Sequence, residues 1–142
     1  MKYIILVSHG KFAPGLHSAL EMLAGSGRED ILSTSLEDGM SQDVFEVNFR
    51  KLIAPITLED EVILMGDLVG GSPLTTATNV IADVGMLEKT VIYGGMNLPL
   101  AVNAALLKDS MEMVDLKAML VEEAREEVKE FILDTSSEDE EV

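Results

Sequence analysis

Residues Glu61-Val62-Ile63-Leu64-Met65-Gly66-Asp67-Leu68-Val69-Gly70-Gly71-Ser72-Pro73 carry a strand, a loop and a helix start in thirteen positions. From Val62 to Met65 the run is apolar without interruption, the pattern of a strand buried on both faces of a parallel sheet. Asp67 follows directly, so a carboxylate stands at the strand's carboxyl end. Gly70 and Gly71 permit a tight turn, Ser72 is suited to cap a helix, and Pro73 fits its first position. The spacing predicts a helix from Pro73 to about Val84.

The same alternation extends outward on both sides. Tyr3 to Ser8 is a second unbroken apolar run, ending at His9-Gly10. A helical period from Pro14 carries Leu16, Leu20 and Leu23 and stops at Gly25-Ser26-Gly27. Ile31 to Leu36 is a more polar strand, expected nearer an edge. Ser41 is placed to cap a helix carrying Val44, Val47, Leu52 and Ile56, which Pro55 ends early. Downstream, Thr90 to Tyr93 is a fourth strand closed by Gly94-Gly95. Asn97 caps the next helix, whose first turn tolerates Pro99. Val114 to about Glu127 reads as a fifth helix and Val128 to Leu133 as a final strand. Four alternations of strand and helix predict an α/β fold: a doubly wound, mainly parallel sheet of four strands with helices on both faces.

Residues 1–133 then form one domain, and 134–142 an acidic tail with four acids in its last five residues, expected to be disordered. Val128, Phe131 and Ile132 are too apolar for a dangling end. They are expected to add to a sheet, the partner subunit's, in a homodimer; the alternative is that they continue the fifth helix.

Composition excludes several functions. The chain has 142 residues and is 47% hydrophobic, enough for a core, but sets 26 acidic against 10 basic side chains, a net charge of −16. Such a balance argues against nucleic acid and anionic membrane surfaces, both of which recruit Lys and Arg. With no cysteine there is no disulfide frame, thiolate zinc site or cysteine nucleophile. No stretch approaches a membrane span, and Met1 to Val7 lacks a signal-peptide cleavage pattern, which leaves a cytoplasmic protein as the expectation. No carboxylate cluster suited to Mg²⁺ is visible, and no metal or cofactor is expected.

In doubly wound sheets ligands sit outside the carboxyl ends of the strands. Three loops lie there: Ser8-His9-Gly10, Asp67 to Pro73, and Gly94 to Asn97, all expected to follow central strands. Singly each has an ordinary explanation: a satisfied polar histidine, a turn-capping aspartate, a tight turn opening a helix. Together they describe a phosphate site with a histidine in it. Gly10, Gly70 and Gly71 allow close approach, Ser72 opens a helix, and the amides of Leu74 and Thr75 are expected to point outward. His17, beside an apolar stripe, reads as structural. The methionines are mostly core filler, with Met40, Met65 and Met96 the candidates for a partner surface.

At these residues the chain resembles the IIA component of the mannose-type sugar phosphotransferase system. The matching pieces are Val7-Ser8-His9-Gly10, Phe12 to Leu16, Ala19 to Gly25, Gly66 to Pro73, and Gly94 to Pro99. The resemblance spans residues 2 to 133. It implies that His9 is phosphorylated by the histidine phosphocarrier protein and passes the group to a IIB component serving a membrane permease (IIC and IID), with Asp67 as the partner of His9. It also implies a dimer exchanging an antiparallel edge strand, and a free-standing IIA, since this sequence ends before any IIB domain. Sugar recognition would lie in other components.

The chemistry is consistent with this. Imidazole at its ordinary pKa of ~6.5 is largely neutral and nucleophilic near pH 7. A carboxylate on its second nitrogen sets the tautomer and stabilises the ring as it becomes cationic. A receiver-like phosphoacceptor domain is an alternative, but it needs an acidic pair after the first strand, where Ser8-His9-Gly10 stands. A histidine phosphatase needs an arginine where Ser8 stands. A non-catalytic regulatory or interaction module on the same fold is the third alternative.

Overall fold

The computed structural model of the chain describes residues 1–135. Its elements are β1 (Lys2–His9), α1 (Phe12–Ala24), β2 (Ile31–Leu36), α2 (Gln42–Leu52), β3 (Glu61–Gly66), α3 (Ser72–Asp83), β4 (Thr90–Tyr93), α4 (Leu98–Leu107) and α5 (Met113–Glu126), with a short 3-10 turn at Leu87–Lys89. The four strands are parallel in the order β2-β1-β3-β4. This is the doubly wound architecture expected.

The parity of the strands explains the two layers. Ile4 and Leu6 of β1 and Ile63 and Met65 of β3 face α1, α4 and α5. Ile5 and Val7, with Val62 and Leu64, face α2 and α3. Successive side chains point to opposite faces, so burying both faces requires the unbroken apolar runs the sequence carries.

Several expectations are corrected. The fourth strand is an edge, not central; among the described residues only β3 pairs with it. The first helix begins at Phe12 rather than Pro14, because Pro14 falls in the first turn, where its missing N–H costs nothing. On α2 the buried stripe is Phe45 and Phe49, continued by the capping Ile53 at the same spacing of four, while Val44 and Val47 are exposed. The two rings stack at 6.3 Å between centroids, and the larger aromatic side chains take the core. Met65 and Met96 are buried in the core and Met40 is half-buried, so the partner-surface reading fails for the first two. Residues 128–133 form no strand within the single chain and do not continue α5; Phe131 is 89% exposed. Of the acidic tail, residues 136–142 lie outside the described residues.

Opposite the strands' carboxyl ends, a polar cluster ties the α1–β2 connection to the end of α4. Lys108, 1% exposed, places Nζ 2.6 Å from Asp30 and 3.2 Å from Asp109. The Arg28 guanidinium grips both oxygens of Asp30 and donates to the Ala105 carbonyl at 3.0 Å. The Arg28 hydrogen bond, reinforced by Lys108 and opposed by burial, holds the Asp30 carboxyl down at about 2.

Candidate active site

The strand order puts the switch point between β1 and β3, so the crevice forms where these two end. The β1–β3 register ends on Val7 opposite Gly66, which places His9 and Asp67 side by side just beyond it. His9 Nδ1 lies 2.9 Å from Asp67 Oδ2, and the backbone N–H of His9 donates to the same oxygen at 2.9 Å. Asp67 Oδ1 accepts the Leu68 amide, also at 2.9 Å. Burial by itself would push the Asp67 carboxyl up; the hydrogen bonds from His9 and Leu68 outweigh it and hold the group below the usual aspartate range. Because a carboxylate only accepts, Nδ1 must carry the proton toward it. In the neutral ring this leaves the lone pair on Nε2, which makes no hydrogen bond to another described residue.

The side chains differ in exposure, 45% for His9 against 15% for Asp67. The aspartate is a sheltered support and the imidazole stands on an open rim. Gly71 makes room for it: a Cβ there would lie 2.8 Å from His9 Cε1. Gly10 turns the chain out of β1 with φ +58°, its N–H bonded to the Leu36 carbonyl at 2.9 Å. Gly70, at φ +85°, does the same before α3.

The start of α3 differs from expectation. Gly71 is the capping residue, and Ser72 sits in the first turn with no side-chain capping bond. The Thr75 amide donates to the Gly71 carbonyl at 3.1 Å, closing the first helical bond, so it does not point outward for a ligand. The Ser72 and Leu74 amides precede that bond and are left without an intrahelical acceptor. Pro73, between them, is buried.

The third loop is fastened to the second despite following an edge strand. Gly95 N–H donates to the Asp67 carbonyl at 3.1 Å and Met96 N–H to that of Gly66 at 3.0 Å. A side chain at Gly94 would collide with Val69. Asn97 caps α4 as expected, accepting the Leu100 amide at 2.9 Å. Away from this rim, His17 Nδ1 pairs with Ser33 Oγ at 2.7 Å, half-buried, consistent with a structural part. Sequence reasoning missed Ser8, whose buried hydroxyl accepts the Ala13 amide at 2.7 Å. Its signal was a hydroxyl breaking an otherwise apolar strand.

The family model described as the PTS system fructose IIA component matches residues 3–121. The chain belongs to that family. It is 28% identical over 127 residues to the mannose-specific EIIAB component of Escherichia coli (strain K12), matching 89% of this chain and 38% of that protein. The chain therefore spans well under half the length of this relative. The fructose-specific EIIA component of Bacillus subtilis (strain 168) is 26% identical over 113 residues, 80% of this chain and 75% of that one. Among solved structures, the EIIA component from Streptococcus agalactiae superimposes with a TM-score of 0.76 at 27% identity, covering 96% of this chain and 98% of its own. The mannose/sorbose-specific IIA subunit from Enterococcus faecalis gives 0.75 at 26% identity, covering 94% and 98%. This EIIA chain is thus a component of a sugar phosphotransferase system. Among its described residues no helix is long and apolar enough to cross a membrane, and no group of three or more His, Asp or Glu side chains gathers where it could hold a metal ion.

Proposed function

We propose that this chain is the phosphoryl relay of its system: His9 Nε2 takes a phosphoryl group from the phosphohistidine of a histidine phosphocarrier protein and hands it to a IIB component. The supporting observation is the 2.9 Å contact of Nδ1 with Asp67, which leaves Nε2 as the nucleophilic nitrogen. In the transfer the donor's P–N bond breaks as the P–N bond to Nε2 forms, while the Nδ1 proton stays on the Asp67 hydrogen bond. Reversal against the IIB acceptor returns the site to its starting state. The unpaired amides at the start of α3 and the glycines at 10, 70 and 71 are the phosphate-binding elements. Phosphoryl transfer needs mainly positioning and charge stabilisation, which these groups supply.

The open rim favours a protein donor over an enclosed small molecule. Leu68 and Val69 are exposed beside Asp67, and Phe12 three residues beyond His9. A receiver-like role for Asp67 is disfavoured because both of its oxygens already accept N–H groups. The relay would operate in the cytoplasm, reaching the membrane permease only through IIB. Incubation with phosphorylated carrier is expected to add a single, acid-labile phosphoryl group on His9 and none to His9→Ala. Label on His17, or uptake by His9→Ala, overturns the reading.

The dimer belongs to the same proposal. Among the described residues one edge of β4 is unpaired, and the surface beside it is lined by Leu87, Val91, Tyr93, Ala118 and Val121. The exposed apolar residues Val128, Phe131 and Ile132 of a second copy would cover it as an added antiparallel strand. Light scattering should give a dimer for the full chain and a monomer for a chain ending at Glu126. A dimer that survives the truncation counts against the exchange.

A further inference from the structure

Two serines lie in the layer beneath the His9 loop. Ser8 and Ser35 are in-register partners on β1 and β2, 0% and 4% exposed. By strand parity both face α1, with Ile4, Leu6 and Ile31. Their hydroxyls are used differently. Ser8 Oγ accepts the Ala13 amide at 2.7 Å and donates to the His9 carbonyl at 3.0 Å. Ser35 Oγ is buried without a hydrogen-bond partner.

We infer that Ser8 is a positioning residue for the transfer: its hydroxyl ties the His9 carbonyl to the first turn of α1 and so sets where the imidazole stands. The inference rests on the relay reading of His9. His9 carries two backbone polar groups, and both are held, its N–H by Asp67 Oδ2 at 2.9 Å and its carbonyl by Ser8. Gly10 then turns away with its own N–H on Leu36. With the backbone clamped on both sides, only the ring torsions remain, and the Nδ1 contact with Asp67 selects among them. Without the hydroxyl, the buried Ala13 amide loses its acceptor and the part-buried His9 carbonyl its donor. The loop must then move to recover them, and the ring moves with it. Displacements of about 1 Å in such a site cost on the order of 10²-fold in rate.

The test compares wild type with Ser8→Ala, Ser8→Thr, Ser8→Val and Ser35→Ala. Nitrogen-15 NMR of the His9 ring reads its tautomer without any partner protein. Single-turnover phosphorylation across carrier concentrations separates the saturating rate from the concentration needed. Wild type, Ser8→Thr and Ser35→Ala should hold the Nδ1–H tautomer and transfer at comparable rates. Ser8→Ala and Ser8→Val should show a tautomer mixture and a saturating rate about 10²-fold lower, at an unchanged half-saturating carrier concentration. Threonine and valine are isosteric, so that pair carries the comparison even where alanine unfolds the chain. A wild-type tautomer and rate in Ser8→Val overturn the inference, as does a Ser35→Ala defect as large as that of Ser8→Ala. A wild-type protein that takes no label overturns the relay reading instead, and the tautomer still decides the role of Ser8.

Discussion

Asp67→Asn is expected to slow phosphoryl uptake by at least ~10²-fold, about 2.7 kcal/mol at the barrier, with the fold retained. The geometry explains why an amide of the same size fails. Oδ2 accepts two N–H groups of His9, backbone and ring, and Oδ1 accepts the Leu68 amide. All three partners are donors, and asparagine offers one oxygen and one NH₂ group. With its oxygen toward His9, the NH₂ opposes the Leu68 N–H. With the amide flipped, the NH₂ faces His9, repels its backbone N–H and favours the tautomer that leaves Nε2 protonated and non-nucleophilic. In either orientation the negative charge that stabilises the ring during transfer is gone. Rapid-quench measurement of label uptake, with circular dichroism as the folding control, checks this. Near-wild-type rates, or phosphate found on Asp67 in the unaltered protein, would refute the assignment.

Asp30→Ala is expected to destabilise the fold by about 3 kcal/mol at pH 7, because it strands a buried ammonium. Lys108 is 1% exposed, and its closest acceptor is Asp30 at 2.6 Å. Asp109, at 3.2 Å, is mostly exposed and a poor substitute. Arg28 also loses the carboxylate that orients it toward the Ala105 carbonyl at the end of α4. If the cost is the stranded charge, Asp30→Ala with Lys108→Met should be more stable than Asp30→Ala alone. Urea unfolding of the two variants and wild type decides it; a double variant no better than the single one sinks the argument. The pH dependence carries the same sign. Asp30 has a folded-state pKa of about 2, below the ordinary value of 3.8, so its contribution is present above that ordinary value and is lost as pH falls through about 2. Asp30→Asn should therefore flatten the acid limb of the stability curve.

The order of strands and helices through α5, the parallel sheet and the presence of His9 and Asp67 at strand ends were legible in the sequence, whereas the final strand expected over 128–133 does not form within the single chain. These features have local causes. Strands buried on two faces must be apolar at every position, which marks Tyr3 to Ser8 and Val62 to Met65 unambiguously. The carboxyl ends of such strands are where polar residues can stand, which isolates His9 and Asp67. Asn97 as a cap was legible for the same reason, since its bond to Leu100 spans only three residues.

What the linear chain left open depended on contacts distant in sequence. Valine and phenylalanine both occupy α2, and only the sheet's position selects the stripe of Phe45, Phe49 and Ile53 over Val44 and Val47. A Cβ at position 71, the α3 cap, would lie 2.8 Å from His9 Cε1, a conflict between segments distant in sequence that only the fold reveals. The use of Ser8 likewise depends on where α1 lands after the Gly10 turn. Sequence by itself determined the alternation, the parallel sheet and the chemical identity of the two rim residues, because periodicity and residue type are local properties. Tertiary structure decided that β1 and β3 are neighbours, that one carboxylate oxygen meets both N–H groups of His9, and that the α3 cap is a glycine. Those outcomes depend on ångström-scale separations between residues about sixty positions apart, and no local pattern encodes such distances.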